Sequence, residues 1–135
     1  MLNVRLAEPV DLASVIKFDA FPGDRVIEII DHRMLVIDVD GETQGYASWQ
    51  KNGCIGMDYV NKLVVSDAYR RRGLAKYLIG GLSTVLHGRI FISASSSNTA
   101  AIRLLHGTMW TRAGEIIGLL PSDEAEVFFY KDLPE

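Results

Sequence analysis

An apolar run that gives way to an amphipathic run lies at the centre of the chain. Residues 60–65 are typical of a buried strand, and after Gly73 apolar residues recur at helical spacing as far as Leu86. The turn between them contains Arg70-Arg71-Arg72. The first N–H groups of a helix have no intrahelical partner and its dipole favours negative charge, so this junction suits a bound phosphate. A solvated basic helix start is the alternative, and the junction alone leaves both interpretations open.

Strand-like and helix-like runs alternate along the rest of the chain, without an internal repeat. Their order is a strand, two helices, three strands, a helix, a strand, a helix and two strands, which predicts an α+β (mixed α/β) class. The pairs Asp40-Gly41 and Asn52-Gly53 predict chain reversals on either side of the third strand. We expect strands at 4–6, 34–39, 44–50, 56–65, 89–94, 109–117 and 127–131, and helices at 12–18, 24–30, 73–87 and 101–105.

Composition limits the class of protein. With 48% hydrophobic and 23% charged residues, the 135 residues are enough for one globular domain over residues 1–135. A net charge of −3 argues against a nucleic-acid partner, and no apolar run is long enough to span a membrane. The single Cys54 excludes an intramolecular disulfide and the N-terminus lacks a signal pattern, so we expect a cytoplasmic protein. His32, His87 and His106 lack metal-ligand spacing, so no metal is expected.

The arginine turn also carries a family motif. Arg70-x-x-Gly73-x-Ala75 matches the (Q/R)-x-x-G-x-(G/A) pattern of the GNAT superfamily of N-acetyltransferases. Leu63-Val64-Val65 lies where that family has L-x-V, and Asn98-x-x-Ala101-x-x-Leu104 is similar to the pattern that follows its fifth strand. The resemblance covers essentially the whole chain. It implies the GNAT fold, a central twisted, mixed and mostly antiparallel sheet of about six to seven strands flanked by helices.

The resemblance also implies a binding site for acetyl-coenzyme A (acetyl-CoA) as co-substrate. In that family the arginine turn holds the pyrophosphate, while the preceding strand pairs with the pantetheine arm and points an N–H at the thioester carbonyl. Such a donor is worth about 3 kcal/mol in a dry, preorganised site. Position alone makes Asn98 a helix cap, and the resemblance adds a pantetheine contact. The implied cofactor-binding residues are Leu63, Val64, Val65, Arg70, Arg71, Arg72, Gly73, Leu74, Ala75, Lys76, Asn98, Ala101, Leu104 and Leu105.

Proton transfer is where the sequence departs from the family. Many members carry a tyrosine acid where this chain has Leu105, and some carry a glutamate base where it has Tyr59. Tyr59 shares strand parity with Leu63 and Val65, so we expect it to face the cleft as a catalytic candidate, with a core aromatic as the alternative. His106 is the second catalytic candidate, with an exposed surface histidine as its alternative. A route through water, without a protein acid, is also open.

The expected function is transfer of the acetyl group to a primary amine of a small molecule or of a peptide or protein. A non-catalytic acyl-CoA-binding or regulatory protein of the same fold is the alternative, motivated by Leu105 and Tyr59. We expect residues 18–31 and 126–130 to border the acceptor, where aromatic and acidic side chains either favour a cationic amine or form an ordinary amphipathic surface. The last strands are also typical of a dimer contact in this fold, so a homodimer is left open.

Overall fold

A computed structural model describes the whole chain, Met1–Glu135. None of its helices has the length and hydrophobicity of a membrane-spanning segment. The strands are β1 (Leu2–Leu6), β2 (Met34–Val39), β3 (Glu42–Cys54), β4 (Met57–Val65), β5 (Gly88–Ser95), β6 (Thr111–Ile116) and β7 (Glu126–Leu133). The helices are α1 (Leu12–Phe18), α2 (Arg25–Ile30), α3 (Leu74–Gly81) and α4 (Thr99–Gly107). The expected order of strands and helices is confirmed.

One seven-stranded sheet organises the chain, in the order β1-β2-β3-β4-β5-β7-β6. Every neighbouring pair of strands is antiparallel except β4 and β5, which run parallel. Parallel neighbours need a crossover connection, and α3 supplies it between β4 and β5. The mixed, mostly antiparallel α+β sheet expected from the sequence is therefore confirmed.

The predicted end of the third helix is wrong. We expected that helix to reach residue 87, but α3 ends at Gly81 and Leu82–Thr84 form a single 3-10 turn. Two consecutive glycines lower the helix propensity at this point. The hydroxyl groups of Ser83 and Thr84 then donate to the carbonyl oxygens of Gly80 and Gly81 (3.1 and 2.7 Å), which satisfies the end of the helix locally.

The predicted turn at Asn52-Gly53 is also wrong. Strand β3 continues through both residues to Cys54, and the chain reverses at Ile55-Gly56 instead. Ile55 and Gly56 have φ angles of 50° and 82°, the left-handed values that a tight hairpin turn requires at both central positions. Asn52 also has a positive φ of 58°, but it lies where the β3–β4 register shifts. The asparagine therefore accommodates a β-bulge rather than a turn.

Helices α3 and α4 pack against one face of the sheet. The core on this face, the α3/α4 core, includes Leu35, Ile90 and Phe129 from the sheet and Leu78 and Leu105 from the helices. All five side chains are at most 2% exposed. This face of the sheet is therefore closed to a large ligand except where strands separate.

Helices α1 and α2 cover only part of the opposite face. Their core, the α1/α2 core, contains Val15 and Ile29 from the helices and Val36, Tyr46 and Val64 from β2, β3 and β4. Beyond β4 the face carries no helix. We call this surface the open face; its half-buried side chains include Phe91, Ser93, Phe128 and Tyr130.

A β-bulge in the β3–β4 pair determines which face of the sheet each side chain of β4 occupies. The register shifts between Ser48 and Trp49, so that Trp49 is paired with Val60 while Ser48 is paired with Lys62. The intervening Asn61 is extra, and the alternation of faces changes there. Val60 accordingly packs in the α3/α4 core, and Val64 packs in the α1/α2 core.

This bulge overturns the predicted orientation of Tyr59. Leu63 and Val65 pack against the α3/α4 core, as Val60 does. Tyr59 precedes Val60 and therefore points to the other face, where its ring lies 6.3 Å from that of Phe128. The expectation that Tyr59 shares a face with Leu63 and Val65 is wrong, because it assumed unbroken alternation.

Candidate active site

The parallel strands β4 and β5 separate after three residue pairs. Residues 58–60 are paired with residues 90–92, while β4 continues to Val65 and β5 continues to Ser95. The gap between them is a cleft of about 160 Å³. Its lining includes the predicted residues Leu63, Asn98, Ala101, Leu104 and Leu105, together with Phe21, Asn61, Lys62 and Ser93.

The separation leaves one edge of β4 without a strand partner. The N–H of Ser66 donates to the carbonyl oxygen of Gln44 on β3 (2.8 Å), so the N–H and C=O groups of alternate residues face β3. By this alternation the backbone groups of Leu63 and Val65 face the cleft. The carbonyl oxygen of Val65 accordingly accepts a bond from Nε of Arg70 (3.3 Å). An extended ligand in the cleft can therefore pair with β4 as a strand would.

Two of the predicted cofactor contacts are more restricted than expected. Val64 is 5% exposed in the α1/α2 core, and the alternation turns its backbone groups toward β3. Leu74 is 3% exposed in the α3/α4 core. Only the N–H of Leu74 can therefore reach a ligand, and Val64 presents no group to the cleft.

The arginine turn combines left-handed residues with an uncapped helix start. Arg71 has a φ of 64°, and Gly73, the N-cap of α3, has a φ of 82° with no side chain capping the helix. A Cβ at Gly73 would meet nothing within 4 Å, so open space lies above the turn. The N–H of Tyr77 donates to the Gly73 carbonyl oxygen (3.3 Å), and the N–H groups of residues 73–76 have no intrahelical acceptor. The turn is therefore built to receive an anion.

The three arginines are in different environments. Arg70 pairs with Asp67 (3.1 Å), and the guanidinium of Arg72 lies 5.1 Å from the centre of the Tyr69 ring. Arg71 has neither an acidic nor an aromatic partner. All three side chains are exposed. Arg71 is thus the arginine that is most available to a bound anion.

Helix α4 forms the opposite wall of the cleft. The Oδ1 atom of Asn98 accepts the N–H of Ala101 (3.2 Å), so the expected helix cap is present, and Asn98 also lines the cleft. Leu105, at the place of the family tyrosine, is 2% exposed. His106 is exposed and does not line the cleft. The centre of its ring lies 5.3 Å from the centre of the Phe129 ring, and the two rings are nearly perpendicular. The helix therefore brings Asn98 and Leu105 to the cleft and leaves His106 outside it.

A chain of three polar groups borders the cleft on the open face. Tyr59 and Ser93 are joined by a hydrogen bond between their hydroxyl oxygens (2.6 Å), and the Ser93 hydroxyl donates to Oε2 of Glu126 (2.6 Å). Burial raises the pKa of Tyr59 above its ordinary value of 10.0, and the nearby charge of Glu126 adds to this rise. Tyr59 therefore stays a neutral phenol near pH 7 and cannot act as a base.

A buried ion network lies on the α1/α2 side of the cleft. Glu28 accepts from Lys62 (2.9 Å) and pairs with Arg25 (3.3 Å), which also pairs with Asp19 (3.5 Å). The hydroxyl of Tyr46 donates to Asp19 (2.6 Å). Burial, and then this bond to Asp19, raise the pKa of Tyr46 above its ordinary value. The network is thus neutral as a whole and fixes Lys62 at the wall of the cleft.

The acidic side chains of the first expected acceptor segment, residues 18–31, are engaged within the fold, whereas Glu126 of the second segment borders the cleft. Glu28 is buried and paired, Asp24 caps α2 by accepting the N–H of Val26 (2.8 Å), and Asp31 pairs with Arg33. Phe129 is fully buried in the α3/α4 core, away from the open face. Glu28, Asp24 and Asp31 therefore offer no unengaged carboxylate to a cationic acceptor, and the preference for a cationic amine stays a prediction. No group of three or more His, Cys, Asp and Glu side chains is arranged as metal ligands.

Sequence reasoning missed Ser93 and Lys62 as residues of the cleft, and it placed Glu126 at the acceptor border without identifying its hydrogen-bond partner. Alternation along residues 89–94 places Ser93 on the face opposite Ile90 and Ile92, and this signal could have identified it. Lys62 interrupts an apolar run, which is a second usable signal. The pairing of Ser93 with Glu126 spans 33 residues and depends on the β5–β7 register, which no local pattern reveals.

Solved structures share this architecture over their whole length. An acetyltransferase of the GNAT family from Bacillus cereus is 25% identical, with 100% of this chain and 99% of that chain covered and a TM-score of 0.85. The ribosomal-protein-S18-alanine N-acetyltransferase from Escherichia coli is 19% identical (100% and 96% covered, TM-score 0.80). A putative acetyltransferase from Salmonella typhimurium, solved with its cofactor acetyl-CoA, is 18% identical (100% and 95% covered, TM-score 0.81).

The sheet order, the split parallel pair and the uncapped helix beside it define a protein with the acetyltransferase fold. A comparison with curated protein sequences found no match. The family model described as the acetyltransferase (GNAT) family matches residues 7–107, about three quarters of the chain. The chain belongs to the acetyltransferase (GNAT) family, as the sequence resemblance implied.

Proposed function

We propose that this protein binds acetyl-CoA between β4 and β5 and transfers the acetyl group to a primary amine. The separation of these strands after three residue pairs carries the proposal, because it leaves a free strand edge for the peptide-like pantetheine arm. Membership of an acetyltransferase family supplies the reaction class. The relative from Salmonella typhimurium, solved with acetyl-CoA, supports the choice of co-substrate.

In this proposal the pyrophosphate lies at the N-terminus of α3. The N–H groups of residues 73–76 lack intrahelical acceptors, and the helix dipole adds a favourable field for negative charge. Gly73 leaves open space above the turn, which allows close approach of a phosphate. Arg71 supplies the ion pair, because Arg70 is paired with Asp67 and Arg72 is stacked on a ring.

The pantetheine arm and the thioester lie along β4. The backbone groups of Leu63 and Val65 pair with the arm, and one of their N–H groups donates to the thioester carbonyl. A preorganised donor of this kind contributes about 3 kcal/mol to transition-state stabilisation. Across the cleft, Asn98 has a free amide group beyond its capping bond, and Ala101 and Leu104 pack against the arm.

The acceptor is a primary amine of a small molecule or of a peptide or protein. It approaches from the open face, since helices cover the other face of the sheet. The relative from Escherichia coli acts on an alanine of ribosomal protein S18, so a protein acceptor has a precedent in the fold. One domain over residues 1–135, a cytoplasmic location and a homodimer stay predictions.

The binding site is tested by the affinity of coenzyme A for two glycine variants. Gly73→Asp places bulk and negative charge at the phosphate, and we expect it to weaken binding more than about tenfold, or 1.4 kcal/mol. Gly118→Asp is the matched control, because Gly118 has a similar φ of 89°, no neighbour within 4 Å and no place in the lining of the cleft. Equal affinities in folded Gly73→Asp and Gly118→Asp proteins would contradict the proposed site.

The arginine assignment is tested by comparing two alanine variants. Arg71→Ala removes a charge-assisted bond to phosphate, and we expect a loss of about 1.5–3 kcal/mol in the binding of coenzyme A. Arg72→Ala removes a side chain held against Tyr69 and should cost less than half as much. A larger loss in Arg72→Ala would reverse the assignment.

Turnover separates transfer from binding alone. Release of the coenzyme A thiol from acetyl-CoA is measured across a panel of primary amines. An acetyltransferase releases thiol in step with amide formation. Binding of acetyl-CoA without thiol release from any amine would favour the non-catalytic acyl-CoA-binding alternative, for which Leu105 at the tyrosine place is the motivating observation.

A further inference from the structure

The three polar groups at the border of the cleft form a directed chain. A carboxylate of Glu126 can only accept hydrogen bonds, so the single hydroxyl proton of Ser93 must point to it (2.6 Å). Ser93 then has no proton left for Tyr59, and the 2.6 Å bond between their oxygens must be donated by the tyrosine. The order of donation is therefore Tyr59 to Ser93 to Glu126.

We propose that Glu126 takes the proton of the acceptor amine and that the hydroxyl of Ser93 carries it there. This inference rests on the proposed acetyl transfer. Ser93 directly follows the last residue that pairs with β4, so it lies where the two strands separate, and it lines the cleft. After accepting from Tyr59 and donating to Glu126, its oxygen keeps one lone pair for an amine N–H.

Glu126 differs from the other carboxylate near the cleft in its freedom to bind a proton. Glu28 is 6% exposed and paired with Arg25 and Lys62, so a proton would displace those cations. Glu126 is half-buried at the start of β7 and forms no salt bridge. It can therefore accept a proton from Ser93 and release it to solvent.

The cations near Glu126 do not pair with its carboxylate, so it is free to accept the proton. The cations on the neighbouring strands already have acidic partners, Arg112 with Glu115 on β6 and Arg89 with Asp132 across β5 and β7. Lys131 on β7 donates to the carbonyl oxygen of Thr108 (2.8 Å), and Lys62 on β4 is paired with Glu28. The other titratable groups on the surrounding elements include Asp58 and Tyr59 on β4, Tyr130 on β7, Cys54 at the end of β3 and Glu124 in the loop before β7. Glu124 is engaged with the hydroxyl of Ser95 (2.7 Å) and is separate from the chain through Ser93.

The reaction balances with one proton leaving through this chain. The ammonium N–H passes its proton to Ser93 as the Ser93 proton passes to Glu126, and Glu126 later releases it to water. The neutral amine then forms the N–C bond to the acetyl carbonyl. As the C–S bond breaks, the second proton on the nitrogen neutralises the departing thiolate. No oxidant or further reactant is required.

Tyr59 acts in this chain as a positioning residue. Its raised pKa keeps it protonated, so its hydroxyl holds Ser93 in the rotamer that points to Glu126. Tyr59→Phe removes that constraint without removing either proton-carrying group. We expect a smaller loss of kcat from Tyr59→Phe than from Ser93→Ala.

The test compares Glu126→Gln with Glu124→Gln as a matched control, since both carboxylates accept a serine hydroxyl near the C-terminal end of β5. Thiol release from acetyl-CoA is measured with 2-phenylethylamine and, separately, with water as the acceptor. We expect Glu126→Gln to lower kcat about 100-fold with both acceptors, which is a typical loss for general base catalysis. The KM for acetyl-CoA should be unchanged. Glu124→Gln should match the parent protein.

The pH profile distinguishes a base from a structural role. Without the proton chain through Ser93 and Glu126, only the fraction of the amine that is already neutral in solution can react. That fraction rises about tenfold per pH unit below the amine pKa, so the rate of Glu126→Gln should rise by the same factor and approach that of the parent as the pH nears the amine pKa. An identical kcat in Glu126→Gln and the parent, or a deficit constant with pH, overturns the proton chain alone. A parent that binds acetyl-CoA and releases no thiol with water or with any amine of the panel overturns the proton chain together with the activity. Failure to bind acetyl-CoA refutes the proposed function at its first step.

Discussion

The buried carboxylate of Glu28 makes a strong prediction about stability. Glu28→Gln preserves the shape of the side chain and removes its charge, which leaves Arg25 (4% exposed) and Lys62 (13% exposed side chain) without the carboxylate between them. Breaking a buried ion pair by removing one partner costs about 3–5 kcal/mol, because the remaining charge is desolvated and uncompensated. Gln keeps part of the hydrogen bonding, so we place the loss near the lower end, about 3 kcal/mol.

The loss is measured by urea denaturation and by thermal unfolding. For a chain of this length, 1 kcal/mol corresponds to about 3 °C in Tm, so Glu28→Gln should unfold about 10 °C below the parent. Asp31→Asn is the control, since its pair with Arg33 involves a carboxylate that is 53% exposed and should contribute less than about 1 kcal/mol.

A double variant refines the interpretation. Glu28→Gln combined with Lys62→Met removes a buried charge together with its partner, so it should be more stable than Glu28→Gln alone. A single variant within about 1 kcal/mol of the parent would refute the argument. A double variant less stable than the single one would show that desolvation of Lys62 is not the cause.

Two further predictions concern packing and pH. Gly81→Ala should lower the free energy of unfolding by about 1–3 kcal/mol, because its Cβ would lie 2.7 Å from Cγ1 of Val4. Gly80→Ala, with nothing within 4 Å, should raise that energy by about 0.5–1 kcal/mol, and the reverse order of the two would contradict the packing argument. The hydrogen bond from Arg5 lowers the pKa of Asp11 below 3.8, so Asp11 stabilises the fold above that value and the stabilisation is lost as pH falls through its folded pKa. Urea midpoints should therefore show Asp11→Asn less stable than the parent at pH 7, with the difference disappearing toward pH 2; a difference independent of pH would refute the linkage.

The strands and helices were predictable wherever a local pattern was complete. The apolar run Met34–Ile37 and Val39 of β2 is bounded by Asp40-Gly41, and its predicted limits, 34–39, are the observed ones. The Asn98 cap was predictable because capping depends only on residues three positions apart. The family motif around Gly73 is equally local, which is why the cofactor side of the site could be anticipated.

Features that depend on the partner strand were not predictable. The bulge at Asn61 arises from a register shift opposite Ser48 and Trp49, and it reversed the face assigned to Tyr59. The Lys62–Glu28 pair joins residues 34 positions apart on different elements. Alternation and propensity describe one segment at a time, so they carry no information about such contacts.

The central claim, that acetyl-CoA lies between β4 and the N-terminus of α3, is tested most directly by amide hydrogen exchange. Binding should protect the N–H groups of Leu63 and Val65 and of residues 73–76, which lack backbone acceptors in the free protein, and should leave Gly118 unchanged. The largest polar cavity elsewhere, about 650 Å³ beside Arg5 and Lys17, is the natural competing site. Protection there, with unchanged exchange along β4 and at the start of α3, would contradict the account.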